Sequence, residues 1–345
     1  MDVYNIERQN NSFDFLRNFA ALSITFAHSF SYTYPKYIEP LFYFTSGKIS
    51  FADIGLCIFF SISGYLITKS LLHSTSIKNY IWKRILRIQP LLIVLCILTI
   101  FFLGFFFTTL PLNVYFSDIN TWTYFRNIFP LTGLQFYLPG IFGNYIGEQG
   151  VNASLWTLII EERLYFLLAV ISLVSKKIIF PLYLFAAVFN VCYFINNNFG
   201  TEILPFFKGI SGYYAVIFLN AGVMYSLQAF NSNKVTRTIV ISLIIFFASL
   251  ISPSFVFLQV LAIPMFIIGI AHVKCFLNGT VLRGDYTYGI YVFSFPVQQM
   301  LVSENFFHDN PYLLFFAVLI IVIPAAIISW HFLEKKSLEF RSLYK

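Results

Sequence analysis

Between residues 13 and 332 the chain runs through ten apolar blocks of helix length, interrupted once by a long connection, and that pattern governs what it can fold into. The blocks are residues 13–32, 51–72, 84–107, 154–174, 178–195, 209–230, 237–252, 254–273, 286–302 and 312–332. A stretch of about 20 mostly apolar residues spans a bilayer. With no water in the hydrocarbon, a spanning backbone bonds within itself as a helix. Only 11% of the residues are charged, and the mean hydropathy is +0.76. A soluble domain has about 25% charged residues. The expectation is an all-α polytopic membrane protein with about ten transmembrane helices, forming a single integral-membrane domain over residues 1–345. The seventh and eighth blocks, separated by little more than Pro253, read as a tight hairpin or one broken helix.

Charge distribution sets the orientation. With a cytoplasmic N-terminus, sixteen Lys and Arg fall on the inner side: Arg8, Lys69, Lys78, Lys83, Arg84, Arg87, Lys176, Lys177, Lys234, Arg237, Lys274, Arg283, Lys335, Lys336, Arg341 and Lys345. The outer side holds four: Lys36, Lys48, Arg126 and Lys208. This positive-inside bias places both termini in the cytoplasm and the chain in the cell's inner (cytoplasmic) membrane, as a multi-pass protein. The pI of about 9.1 follows from the same bias and calls for no nucleic-acid partner. Residues 1–12 are polar and no small-residue cleavage site follows the first block, so that block reads as a retained helix. Cys57, Cys96, Cys192 and Cys275 have no CxxC spacing, and the five histidines lack ligand spacing, so neither a disulfide framework nor a metal site is expected.

Arg17 and His28 interrupt the first block eleven residues apart. Eleven residues are about three helical turns, so both fall on one face, roughly 16 Å apart along the axis. An ionised side chain in hydrocarbon costs at least about 2.5 kcal/mol, so it usually has a polar partner or a function. Counted from residue 13, Arg17 lies about 6 Å deep and His28 about 22 Å deep. Arg84 and Arg87, at the start of the third block, share a face level with Arg17. The fourth block carries Glu161-Glu162-Arg163, with Glu161 about 18 Å from the inner side of a core near 30 Å. These charges form a cationic inner layer and a deeper acid/base layer.

The inner layer suits a nucleotide with several phosphates, because arginine forks match phosphate oxygens. The deeper layer suits acyl transfer to a hydroxyl, with His as general base and a carboxylate orienting it. A thioester on a long pantetheine arm would join the two. Simpler readings also fit. Arg84 and Arg87 work as topology anchors, Arg17 as a partner of Asp14, His28 as a helix contact, and Glu162–Arg163 as an ion pair. Trp156 and Tyr165 read as interface or packing residues on composition alone. His73, His272, His308 and His331 sit near block ends and are assigned no role.

The long connection, residues 108–152, is placed outside and is rich in aromatics, Gly and Pro. A loop of this length is usually functional or disordered; its apolar character predicts a packed cap that shapes an acceptor site.

Several ordered stretches resemble the membrane acyltransferase-3 family, which includes bacterial O-antigen and exopolysaccharide O-acetylases. They are Asp14-Phe15-Leu16-Arg17 with His28; Phe59-Phe60-Ser61-Ile62-Ser63-Gly64-Tyr65-Leu66; Arg84-Ile85-Leu86-Arg87-Ile88-Gln89-Pro90; Trp156-Thr157-Leu158 with Glu161 and Tyr165; and Tyr288 to Val297. Many relatives have His where this chain has Ser294, which leaves His28 as the imidazole available for proton transfer. The resemblance implies a ten-helix fold and a cytoplasmic acyl-CoA donor, usually acetyl-CoA, with no bound cofactor. It implies acylation of a hydroxyl on a lipid-linked or cell-surface glycan. His28 and Glu161 are then the expected catalytic pair, and Arg17, Arg84 and Arg87 the donor-binding residues. Asp14, Ser63, Trp156, Glu162 and Tyr165 are expected in support. The rival reading is a transporter or flippase for an anionic or glycan substrate, with the same residues as proton relay and anion site. No internal repeat of the kind many transporters show is visible.

Overall fold

The computed structural model describes residues 12–32, 36–142, 150–174, 179–200, 210–228, 230, 234–273, 284–307 and 309–343. Cys275, His308, Arg8, Lys176, Lys177, Lys208, Lys274, Arg283, Lys345 and positions 143–149 of the long connection lie outside them. Among the described residues the chain is helical, and the one extended pairing is an isolated antiparallel bridge between Thr108 and Ile141.

The long helices are α1 (Phe13–Ser31), α2 (Phe51–Leu72), α3 (Ile77–Ile97), α4 (Trp156–Val174), α5 (Ile179–Phe199), α6 (Ile210–Ser226), α7 (Val235–Ser249), α8 (Gln259–Ala271), α9 (Thr287–Ser303) and α10 (Pro311–Ser329). Each corresponds to one apolar block of the sequence. Among the described residues, five segments are long and apolar enough to cross a membrane: Phe51–Leu72, Ile77–Phe107, Phe180–Phe199, Pro253–Ala271 and Pro311–Glu339. Of the others, α6, α7 and α9 have only 15 to 17 residues. Helix α4 carries Glu161, Glu162 and Arg163.

Two boundaries differ from the sequence reading. Helix α3 starts at Ile77, seven residues before Arg84, because the Ser76 hydroxyl accepts from the Asn79 N–H at 3.1 Å and caps the helix. Arg84 and Arg87 therefore lie two to three turns inside α3 and not at its start. Helix α10 runs on through a π turn, Trp330–Glu334, into Lys335–Glu339, which brings Glu334 into the helix. A second π turn, Leu98–Leu103, extends α3 towards Phe107.

The chain packs as two compact units that interleave along the sequence. The first comprises Met1–Ala20, Gly55–Tyr80 and Leu164–Val281. Within it α2 meets α6 at backbone distance. A Cβ on Gly64 would fall onto the carbonyl oxygen of Phe218, and one on Gly222 would lie 2.5 Å from the Thr68 hydroxyl. Small residues at a helix crossing permit this approach. Asn220 on α6 donates to the Asn190 amide oxygen at 3.1 Å and to the Val260 carbonyl at 2.9 Å. Val260 needs that donor, because Pro264 one turn later has no N–H to give it. His272 completes an aromatic group with Phe13, Tyr65 and Phe230, its Nε2 3.2 Å from the Tyr65 hydroxyl.

The second unit comprises Ala21–Ile54, Ile81–Arg163 and Leu282–Lys345. Here the described part of the long connection is packed. It folds into short helices, Leu112–Ser117 and Ile119–Thr123, followed by 3-10 turns. Tyr115, Tyr124, Leu138, Ile141 and Phe142 form a core with Cys96, Ile100 and Leu103 of the extended α3. Tyr115 is buried over Gly104, where any Cβ would strike its ring, and its hydroxyl bonds to the Ile100 carbonyl at 3.0 Å.

Gly64→Ala is expected to cost about 1–3 kcal/mol or more, because the added methyl meets backbone and no side chain can yield. Thermal unfolding in detergent, followed by size-exclusion chromatography, checks this; an unchanged midpoint would mean that the α2–α6 crossing adjusts freely.

Candidate functional site

Helix α9 organises the second unit through a polar stripe, Tyr288, Tyr291, Ser294 and Gln298. The spacing of three, three and four residues puts them on one helical face. Each is engaged. Tyr288 donates to the Ile88 carbonyl of α3 at 3.1 Å. The Tyr291 hydroxyl lies 2.7 Å from both the Ser154 carbonyl and the Thr157 hydroxyl, at the start of α4. Ser294 accepts from Thr25 of α1 at 2.9 Å. Gln298 donates from Nε2 to the Thr25 carbonyl at 2.8 Å and to the Ser29 hydroxyl at 2.9 Å. Ser294 thus occupies its position as half of a buried helix–helix hydrogen bond.

Pro296 in α9 leaves the Val292 carbonyl without its helical N–H, and the buried Asn152 side chain replaces it at 2.9 Å. Asn152 in turn accepts from the Ser154 hydroxyl at 2.6 Å. One residue of the connection thereby fixes the entry to α4 against α9.

His28 sits on this frame. Its ring stands edge-on to buried Phe295, with centroids 5.4 Å apart at 81°. Thr25 and Ser29, on either side of it in α1, are the residues bonded to α9. Among the described residues neither ring nitrogen makes a hydrogen bond, so the imidazole retains both its donor and its acceptor capacity. Glu161 is half-buried and within electrostatic reach of the Tyr288 and Tyr291 hydroxyls. His28 and Glu161 thus border the same helix, with Tyr291 and Phe295 about 6 Å apart along its axis.

Glu162 has a different surrounding. Its Oε1 accepts from Gln89 of α3 at 2.8 Å and its Oε2 from the Leu131 N–H at 2.6 Å, so it holds the Pro130–Thr132 turn against α3 and α4. Trp156 is half-buried as the first residue of α4.

The two arginines of α3 part company. Arg87 bonds to Asp285 at 2.9 Å and to buried Glu334 at 3.2 Å, and lies over the Tyr288 ring at 5.6 Å. Glu334 also accepts from Ser329 at 2.9 Å. Removing one partner of such a buried pair costs about 3–5 kcal/mol, because the remaining charge is stranded. Arg84 lies instead in a group of cations with Lys83 and Arg341. The remaining predicted residues, Asp14, Arg17, Ser63 and Tyr165, belong to the first unit. Asp14 and Arg17 are 3.8 Å apart on α1. Ser63 precedes Gly64 on α2, and the Tyr165 carbonyl accepts from Tyr80 at 3.3 Å. Among the described residues no three His, Cys, Asp or Glu side chains are grouped to hold a metal ion.

The sequence reading missed Tyr291, Gln298, Asn152, Asp285 and Glu334 as structural partners. The regular polar spacing in α9 was the available signal for the first two.

A family model described as an acyltransferase domain matches residues 10–331. The chain belongs to the acyltransferase-3 family. This acyltransferase is 28% identical over 336 residues to an O-acetyl transferase of Shigella phage Sf6, covering 96% of each chain. It is 31% identical over 162 residues to nodulation protein 10 of Rhizobium leguminosarum bv. viciae, covering 45% of this chain and 42% of that one. No solved structure matches it.

Asn152→Ala is expected to destabilise the acyltransferase by about 1–3 kcal/mol, by orphaning a buried carbonyl. In a Pro296→Ala background residue 296 regains its N–H, and the same change should cost distinctly less. Unfolding midpoints of the four proteins test this, and strictly additive effects would break the assignment.

Proposed function

We propose that this acyltransferase moves an acyl group, most simply acetyl, from cytoplasmic acyl-CoA to a hydroxyl of a cell-surface or lipid-linked polysaccharide. Residues 1–345 act as one integral-membrane domain with ten spans and both termini cytoplasmic, in the cell's inner membrane. The observation that carries the reading is His28, an imidazole with both nitrogens available, held on a hydrogen-bonded frame in a chain of this family. The nearly full-length likeness to an O-acetyl transferase supports acetyl transfer to oxygen.

In this proposal His28 takes the proton of the acceptor hydroxyl as its oxygen attacks the thioester carbonyl. The C–S bond breaks, and the departing thiolate receives that proton from the imidazolium. Glu161 adds negative charge along α9 and stabilises the imidazolium at intermediate stages. Arg84, with Lys83 and Arg341 nearby, offers the donor's phosphates a cationic group, because arginine forks match phosphate oxygens. Arg87, shared between Asp285 and Glu334, serves by holding α3 to the end of α10. Arg17 enters as a donor ligand on the family resemblance, with Asp14 beside it; Ser63 and Tyr165 support the fold. The packed segment 108–142 shapes the acceptor side, and Glu162 ties it to α3 and α4.

His28→Ala should abolish formation of alkali-labile esters on surface glycans while membrane insertion stays normal; wild-type ester content in a correctly inserted variant removes His28 as the base. Arg84→Gln combined with Arg341→Gln should weaken acyl-CoA binding roughly tenfold or more and flatten its salt dependence. Donor titration in vesicles measures this, and unchanged affinity returns both residues to topology anchors.

A further inference from the structure

Beside His28 lie two buried polar atoms without partners among the described residues. Tyr32 follows His28 by four residues, so it projects from the same side of the chain one turn on. Its side chain is 6% exposed, its ring is 6.1 Å from that of Phe295, and its hydroxyl makes no hydrogen bond among the described residues. Gln298 is fully buried. Its amide nitrogen is used by Thr25 and Ser29, whereas its Oε1 has no partner among the described residues. Phe295 contacts both His28 and Tyr32, so one buried ring borders an imidazole and a hydroxyl, each with hydrogen-bonding capacity unspent. A buried hydroxyl or amide oxygen left unbonded is destabilising, and a bound substrate can relieve that cost.

We propose that the Tyr32 hydroxyl is the donor that stabilises the oxyanion during acyl transfer. This rests on the acyl-transfer reading of His28 and adds a residue to it. As His28 removes the acceptor proton, the acceptor oxygen bonds to the thioester carbon and the carbonyl π electrons move onto the carbonyl oxygen. That oxygen receives a hydrogen bond from Tyr32, which keeps its proton. When the intermediate collapses, the carbonyl reforms, the C–S bond breaks and the thiolate is protonated by His28. The products are an ester and the free CoA thiol. Gln298 Oε1, one turn along α9 from Phe295, is the acceptor available to a further hydroxyl of the sugar. A preorganised donor in a water-poor site acts on the transition state far more than on the substrate.

The test uses the full-length chain in membrane vesicles, with acetyl-CoA as donor and the host's chemically de-acetylated surface polysaccharide as acceptor. Tyr32→Phe removes only the hydroxyl and should lower kcat about 100- to 1000-fold, with little change in the KM for acetyl-CoA. Wild-type kcat, or a raised KM with unaltered kcat, overturns the assignment. If Tyr32→Phe does not fold, 3-fluorotyrosine at position 32 preserves the packing and sharpens the donor; its kcat should change, and an unchanged kcat overturns the proposal. His28→Ala runs in parallel. Activity retained there defeats the acyl-transfer reading itself, whereas an inactive His28→Ala beside a fully active Tyr32→Phe defeats only the role of Tyr32.

Discussion

A helix packed away from water cannot leave a stray backbone group to solvent, and two proline-bearing helices of this protein show how that constraint is met. In the first unit Pro264 frees the Val260 carbonyl and Asn220 bonds to it. In the second Pro296 frees the Val292 carbonyl and Asn152 bonds to it. The second case positions the candidate chemistry. Once Asn152 is tied to α9, the start of α4 is set beside it, and Tyr291 adds bonds to Ser154 and Thr157. Glu161 follows from the register of α4. Further along α9, Ser294 and Gln298 fix the rotation of α1 and so the direction of His28. One helix with an interrupted hydrogen-bond ladder thus sets the positions of both groups proposed to handle the proton.

The ten helices were legible because hydrophobic length is a local property, readable without knowing any partner. Their polar punctuation was legible only in part. The start of α3 was missed because the apolar run begins near Arg84, whereas the cap lies at Ser76, ahead of a polar first turn. Glu334 was missed because the last apolar block was ended at Phe332, yet the π turn carries the helix through Glu334 and turns that carboxylate onto Ser329 and Arg87. His28, Glu161 and Arg84 were visible as charges in apolar surroundings, which is an intrinsic signal. Asn152 and Asp285 gain meaning only from long-range neighbours, and no local pattern reports those.

Arg84 and Arg87 show how little residue type says about role. They are three positions apart on one helix, with the same side chain. Arg87 faces two carboxylates, and its charge is consumed within the protein. Arg84 is grouped with the cations Lys83 and Arg341. Coulomb energy grows as the dielectric falls, so such a cluster is costlier at a half-buried position than in water. In the proposed reaction a donor phosphate meets cations at Arg84, whereas at Arg87 it would have to displace Asp285 and Glu334.

The segment after α3, which the proposal places on the acceptor side, is built by the same logic. It is held by burial of Tyr115, Tyr124 and Leu138 on the extended α3, and by the Glu162 carboxylate that takes the Leu131 N–H. Glu162 is the immediate neighbour of Glu161 in the chain, so on a helix the two point about 100° apart. One carboxylate anchors the folded connection, and the other lies within electrostatic reach of Tyr291 on α9. A change in this connection that strained the Leu131 bond would be transmitted through a single turn of α4 to Glu161. In the proposed reaction this couples acceptor shape to proton chemistry through two adjacent residues.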